Sequence, residues 1–161
     1  MTIIKEVDNG YAKYRESIAE LHNSVIQVGL FAEVGDEVLT KAIVNEFGTT
    51  QAGKNKNITI PERSFIRATY NKQYKKVARR FTQIFESISK KRYDVKAKLK
   101  LIALEQSSAT QETITNFKSP ANAPSTIKKK GSSHPLIDTG EMRSKITSKV
   151  SKKIWVLLEK K

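Results

Sequence analysis

Asp138 is the residue of this chain whose local sequence most suggests catalysis, because it lies in the segment PLIDTG at residues 135–140. Asp-Thr-Gly after an apolar run is how an aspartic protease presents its catalytic carboxylate. Such an enzyme needs two carboxylates that share a proton in a β-rich cleft, so a single copy would require a homodimer. The residues that follow, EMRSK, are polar and helix-prone, where a second apolar strand should support the loop. Asp138 and Glu141 instead have the D-x-x-E spacing of a helix N-cap, which predicts a structural Asp138 at the start of a short turn over residues 139–144.

A second chemically suggestive motif lies in the polar segment GTTQAGKNKN, residues 48–57. Gly48, Gly53 and Lys54 fit the phosphate-binding pattern G-x-x-x-x-G-K-[ST], but Asn55 stands where the magnesium-binding hydroxyl belongs. The pattern should also follow a strand and open a helix, whereas the strand-like sequence NITIP comes next. A hairpin-like loop is therefore the expected structure.

Metal and cofactor chemistry has little support in the sequence. The chain has no cysteine, which excludes disulfides and thiolate metal sites. Its two histidines, His22 and His134, are too few and too scattered for a convincing metal site. We therefore expect no catalytic residue, no cofactor and no metal.

Charge is the strongest compositional signal. The net charge of the 161 residues is +14, and it is unevenly distributed. Residues 1–66 have a net charge of −2, whereas residues 67–100 carry 12 basic and 2 acidic residues and residues 118–161 carry 11 and 3. Such asymmetry suggests a basic face directed at an anionic partner, either nucleic acid or an acidic protein. A solvated helix surface is the alternative. No apolar stretch reaches the ~18 residues of a membrane helix, so no membrane contact is expected.

Hydrophobic periodicity predicts an α+β fold. It indicates a helix over residues 7–22, a strand over 24–31 and a short helix that ends at Gly48. A long amphipathic helix with a basic back follows from Pro61, and a third major helix is expected over 95–117. The stripe of the long helix is formed by Ile66, Tyr70, Tyr74, Val77, Phe81, Ile84 and Ile88. The prediction is a single domain, residues 1–161, with about three helices packed on a small, mostly antiparallel sheet.

Two further segments are expected to lie outside the helical core. Residues 119–135 are rich in proline, serine and lysine and predict an extended loop or arm that orders on assembly. Ile127 is its apolar anchor, and Lys128, Lys129 and Lys130 are the candidate residues facing DNA or an acidic partner. Residues 145–158 contain two strand-like runs and predict a C-terminal β-hairpin.

The order of several motifs resembles the virion-morphogenesis proteins of tailed bacteriophages, specifically the tail-completion or head–tail joining (neck) group. The blocks are VGLF, AIVNEFGT, IPERSFIR, APSTIKKKGS and PLIDTGEMRSKIT, which together cover roughly residues 24–150. The matching residues are Glu46, Phe47, Gly48, Pro61, Arg63, Phe65, Arg67, Ile127, Lys128, Lys130, Gly131, Pro135, Leu136, Ile137, Asp138, Thr139, Gly140 and Arg143. The chain departs from the pattern at Asn45, where histidine is frequent, and at Lys145, where serine is usual.

The resemblance implies a non-enzymatic structural protein of the virion, made in the cytoplasm of the bacterial host. It implies a homo-oligomeric ring, with six or twelve subunits as candidate numbers, that joins tail to head around the DNA channel. The implied partners are other neck, connector or tail proteins and, without sequence specificity, the genomic DNA. In this setting Pro61, Arg63, Phe65 and Arg67 are expected to form a packing motif, with Pro61 in the first turn of the long helix and Phe65 buried.

Two other functions are considered beside the virion role. A free-standing basic DNA-binding protein would account for the charge, although no helix-turn-helix, zinc or aromatic-rich sheet motif supports it. A protease would account for Asp138 alone.

Overall fold

The computed structural model describes residues 9–152, which form six helices and four strands. The helices are α1 (Tyr11–His22), α2 (Asp36–Phe47), α3 (Phe65–Ser89), α4 (Val95–Asn116), α5 (Pro124–Lys130) and α6 (Glu141–Ser144). The strands are β1 (Ser24–Gly29), β2 (Thr49–Ala52), β3 (Ile58–Ile60) and β4 (Thr147–Lys152), and a short 3-10 helix, Ala32–Val34, precedes α2.

The fold is α+β with antiparallel strands, but the prediction of about three helices is wrong. The long helices α3 and α4 fall close to their expected positions, whereas α5 and α6 are additional short helices. α5 lies within residues 119–135, where an extended loop or arm was expected. Residues 124–130 of that segment are helical instead. Pro124 occupies the first turn of α5, where its missing N–H needs no partner, and Gly131 ends the helix in the left-handed conformation.

The strands form two separate antiparallel pairs. β1 pairs with β4 from Ser24 opposite Lys152 to Gly29 opposite Thr147. β2 and β3 form a hairpin, which confirms the hairpin-like interpretation of residues 48–57. β4 provides the first strand of the expected C-terminal hairpin, and residues 153–158, which would form the second, lie outside the described residues.

Gly48 allows the close approach of the hairpin to the segment that leads into α3. Its φ is 70°, and a Cβ atom at this position would lie 2.9 Å from the backbone nitrogen of Glu62. Real Cβ atoms do not approach backbone that closely, so a larger residue would displace the hairpin. The glycine that fits a phosphate-binding motif in the sequence therefore has a packing role.

Helices α3 and α4 run antiparallel and link two hydrophobic clusters. Arg80 contacts Glu105 and Thr69 contacts Thr113, pairs whose separations along the chain show the opposite directions. The first cluster surrounds the start of α3 and comprises Val38, Ala42, Phe65, Ile114, Leu136, Met142 and Ile146. The second surrounds the end of α3 and comprises Ile84, Ile88, Val95, Leu99 and Ile102, with α1 packed against it.

Phe65 is fully buried in the first cluster, which confirms its expected role as a packing anchor. Pro61, however, does not lie in the first turn of the helix, because α3 begins at Phe65 and Pro61 belongs to an exposed connecting segment. In the described part of the chain, no helix combines the length and apolar character needed to cross a membrane.

Candidate binding cleft and basic surface

Residues from blocks far apart in the sequence meet around a cleft of about 600 Å³ between the β2–β3 hairpin, α5 and α6. The cleft lies directly against the first hydrophobic cluster, since Val38, Leu136 and Met142 belong to both. The sequence-selected residues that line it are Pro61, Arg63, Lys130, Pro135, Leu136, Asp138, Thr139 and Gly140. Phe65, Arg67 and Arg143 are not among its lining residues.

Arg63 holds one wall of the cleft in place. Its Nε donates to the carbonyl of Pro120 at 2.9 Å, and its Nη2 donates to the carbonyl of Ala121 at 3.0 Å. Nη1 and Nη2 also reach the side-chain oxygens of Asn45 at 3.2 Å and Asn122 at 3.3 Å. Burial lowers the pKa of Arg63, but a guanidinium remains charged at neutral pH. Most of its donors contact the segment that precedes α5. Arg63 therefore stabilises the wall of the cleft and is not itself a ligand-binding residue.

Glu46 and Arg67 fix the neighbouring start of α3. The carboxylate of Glu46, which is almost fully buried, accepts hydrogen bonds from the backbone N–H groups of Ile66 at 2.9 Å and Arg67 at 3.1 Å. These are first-turn donors that have no partner within a helix, and Ser64 makes no side-chain cap. Arg67 returns the contact through its Nε to the Glu46 carboxylate at 3.1 Å and its Nη2 to the Glu46 carbonyl at 2.6 Å. Helix α3 is therefore capped by a residue of α2, a role that the sequence analysis did not identify.

Asp138 is exposed and does not cap α6, so the N-cap prediction is wrong. Gly140 occupies the N-cap position with φ 82°, and no side chain makes a cap hydrogen bond there. The backbone N–H of Glu141 instead contacts the hydroxyl of Thr139 at 3.4 Å. The left-handed turn at Gly140 brings the chain into α6 in place of a side-chain cap. Arg143 on α6 donates to the hydroxyl of Thr115, which ties this short helix to α4.

Asp138 contributes negative charge to a cleft that also contains two lysines. Burial lowers the pKa of Lys130, and the nearby Asp138 opposes part of this effect. The pKa of Lys41 is raised, chiefly by its hydrogen bond to Glu37 and only weakly by Asp138. The described residues hold no group of three or more histidine, cysteine or acidic side chains that could bind a metal. The cleft is thus a recess of mixed charge.

The three lysines of α5 differ in their exposure to solvent. Lys128 and Lys129 are exposed, whereas Lys130 is half-buried and its Nζ donates to the carbonyl of His134 at 3.0 Å. Ile127 is half-buried as well. Two of the three candidate lysines are therefore available to a partner, and the third stabilises the turn that follows α5.

A second basic surface lies on the solvent side of α3. Lys76 and Arg80 both approach Glu105 of α4, at 3.7 and 2.7 Å. Lys72, Lys75 and Arg79 are exposed and form no ion pair with any described residue. These three residues are here called the α3 basic surface, and they leave uncompensated positive charge on one side of the molecule.

Glu46 and Asn122 are the residues of this region whose roles the sequence analysis missed. Asn122 is buried, accepts from Arg63 and donates to the carbonyl of His134 at 2.9 Å. Asn122 is a single asparagine in a polar segment, which gives no signal of burial. Glu46 follows the apolar pair Ile43–Val44 by two residues, which gives only a weak signal.

Comparison of the chain with protein-family models, with curated proteins and with solved structures found no match in any of the three.

Proposed function

We propose that this chain is a structural subunit of the head–tail junction of a tailed bacteriophage, where it assembles with further copies into a ring around the DNA channel. The observation that carries the proposal is the convergence of the motif blocks. The segments IPERSF, APSTIKKKG and PLIDTG, whose combination resembles the neck and tail-completion group, meet around the cleft. A protein of this class needs a surface for docking and no catalytic centre.

The charge of the surface supports the same proposal. Lys128 and Lys129 on α5 and the α3 basic surface give the subunit cations that no described acidic residue neutralises. A channel through which a genome must pass should attract DNA weakly and in a salt-dependent manner rather than grip it. Exposed cations on two separate helices, α3 and α5, fit such an attraction.

The test is assembly with the proteins encoded beside this chain in its genome. We expect the purified protein, alone or mixed with the neighbouring connector and tail-tube proteins, to form rings that electron microscopy resolves. The matched variant is Lys128→Ala with Lys129→Ala, which should weaken joining or DNA passage while leaving the melting temperature unchanged. If the purified protein binds none of the neighbouring proteins under these conditions, the proposal is contradicted.

A free-standing DNA-binding protein is the second candidate, favoured by the uncompensated α3 basic surface. It predicts a persistent monomer that binds duplex DNA tightly in the absence of any partner. Light scattering and a DNA titration at two salt concentrations separate the two functions. Neutralising Lys72, Lys75 and Arg79 would then reduce the salt slope of binding by about one unit for each phosphate that is no longer neutralised.

A further inference from the structure

An apolar groove of about 440 Å³ lies between α3, β1 and α4. Ile26 and Val28 of β1 form one side of it, and the apolar stripe of α3, including Tyr70 and Tyr74, forms the other. Ile102 of α4 also lines the groove. Tyr70 is 68% exposed and Tyr74 is 52% exposed, although both belong to the stripe. An open apolar recess of this kind indicates an interaction site.

The groove borders a free strand edge. β1 pairs with β4 alone among the described strands, so only one of its two edges is hydrogen-bonded. Ile26 of β1 lies opposite Val150 of β4, and both side chains pack against the second hydrophobic cluster. Ile26 lines the groove whereas no residue of β4 does, so the groove opens on the side of β1 away from β4. Among the described residues, none forms a backbone hydrogen bond with that outer edge.

An unpaired strand edge beside an apolar groove accepts an extended segment. The backbone N–H and C=O groups of the edge bond the added strand, while alternate side chains of that strand enter the groove. α3 forms the opposite wall, so the sheet edge of a folded partner would bring its second strand, about 4.8 Å farther out, against α3. The groove therefore fits a single extended segment with apolar side chains.

The sequence of the chain contains a segment of this kind. The run KIWVLL, residues 153–158, has five consecutive apolar residues that include two β-branched side chains and a tryptophan, a composition typical of strands. The run itself lies outside the described residues. It follows Lys152, which lies opposite Ser24 at the start of β1.

The connection from β4 does not lead to the groove of the same copy. β4 lies at one edge of β1 and the groove at the other, so the run would have to cross the start of β1, where the chain enters from α1. The crossing spans two strand spacings, about 10 Å, and uses at least about three residues. It would take Lys153, Ile154 and Trp155 out of the strand. A neighbouring copy delivers the whole run without such a crossing.

From these observations we infer that residues 153–158 of one copy add a third strand to the outer edge of β1 in the next copy, beside Tyr70 and Tyr74. The inference rests on the proposed function and deepens it, because it names the contact between ring subunits. A strand donated from copy to copy is a heterologous contact, and its repetition closes a ring or extends a filament.

The absence of cysteine in the chain allows a direct test by disulfide crosslinking. The groove variant Tyr74→Cys is mixed and oxidised with either of two donor variants, Val156→Cys or Leu157→Cys. Neighbouring residues of a strand point to opposite faces, so one donor variant should form the covalent dimer at least about fivefold more efficiently than the other. Ile43→Cys is the control for the groove, because Ile43 is 57% exposed on α2 and does not line the groove. It should crosslink with neither donor.

Equal crosslinking of both donor variants would indicate an unspecific apolar contact and overturn the inference. A chain that carries the groove cysteine and the donor cysteine together, and closes the disulfide within a monomer, would also overturn it. So would the absence of any crosslink. The Tyr74→Cys thiol would then react freely with a thiol reagent if the run pairs with β4 of its own copy, and would be protected if another segment covers the groove.

Complementation between two variants gives a second, independent measurement. Tyr74→Asp damages the groove, and Val156→Asp with Leu157→Asp damages both faces of the donor run. Each variant should weaken self-association at least about tenfold, since it places charge in an apolar contact. Mixed together, the two should form a dimer and no larger assembly, because one retains the run and the other retains the groove. Unchanged self-association of both variants, or no dimer in the mixture, would refute the contact.

Both measurements use the purified chain alone, whereas the virion role is tested by binding to neck proteins. Strand donation without any binding to neck proteins would leave the contact standing and remove the virion role. Rings that form without the crosslink to Tyr74→Cys would overturn the contact and leave the virion role standing.

Discussion

Replacing Arg63 by methionine should reveal how strongly the cleft depends on one guanidinium. Arg63→Met keeps most of the aliphatic stem and removes all the donors. Four acceptors are then left without their partner: the carbonyls of Pro120 and Ala121 and the side-chain oxygens of Asn45 and Asn122. The segment that leads into α5 is thereby detached from its main attachment to the rest of the fold.

The expected decrease in stability follows from which acceptors can regain water. Pro120 and Ala121 are exposed, so their carbonyls can be solvated again at little cost. Asn122 is buried and Asn45 is half-buried, and each orphaned acceptor of this kind costs about 1–3 kcal/mol. We therefore expect a free energy of unfolding lower by about 2–6 kcal/mol.

Urea denaturation followed by circular dichroism measures this decrease. Arg79→Met is the matched control, because Arg79 is exposed and unpaired among the described residues, and it should change stability by less than about 0.5 kcal/mol. Limited trypsin digestion adds a local measurement, since cleavage after Lys128 and Lys129 should accelerate once the segment is released. A decrease below about 1 kcal/mol with unchanged digestion would refute the role assigned to Arg63.

Further predictions concern the core, the cap of α3 and the cleft. Phe65→Ala should cost about 3–5 kcal/mol, because the ring is fully buried, and an unchanged melting temperature would contradict its role as anchor. Glu46→Gln should remove the charge-assisted capping of α3 and lower stability by about 1–2 kcal/mol, with faster hydrogen exchange at the Ile66 amide as the local sign. Asp138→Ala should change stability by less than about 0.5 kcal/mol, since Asp138 is exposed and caps no helix; a decrease of about 1 kcal/mol or more would restore the capping hypothesis.

Elements with long hydrophobic periods were predictable from the sequence. The stripe from Ile66 to Ile88 predicted α3, and the apolar positions from Val95 predicted α4, because burial of one helix face requires this spacing. The short helix α5 was missed for a physical reason. Its sequence PSTIKKK has no buried face, and the helix depends instead on Pro124, Gly131 and the Arg63 bonds that fix the segment before it.

The cleft was only partly predictable. The motif residues Arg63 and Lys130 were selected from the sequence. Their hydrogen-bond partners include backbone carbonyls, which any residue type provides, so the sequence could not indicate these partners. The capping role of Glu46 depends on the tertiary contact of α2 with α3 and is hardly visible in local patterns. For Asp138, the D-x-x-E spacing indicated a cap, yet the left-handed turn at Gly140 places the helix start two residues later.

The link between the two hydrophobic clusters gives α3 and α4 a mechanical property. α3 has 25 residues and is therefore roughly 37 Å long, with one end packed beside the cleft and the other beneath α1. A tilt of about 3° at the Phe65 end displaces the Ser89 end by roughly 2 Å, because a helix moves as a stiff rod. Any tilt of α3 at its Phe65 end is thus carried along the helix to the turn between α3 and α4. The two hydrophobic clusters, at opposite ends of α3, are in this way mechanically coupled through one helix.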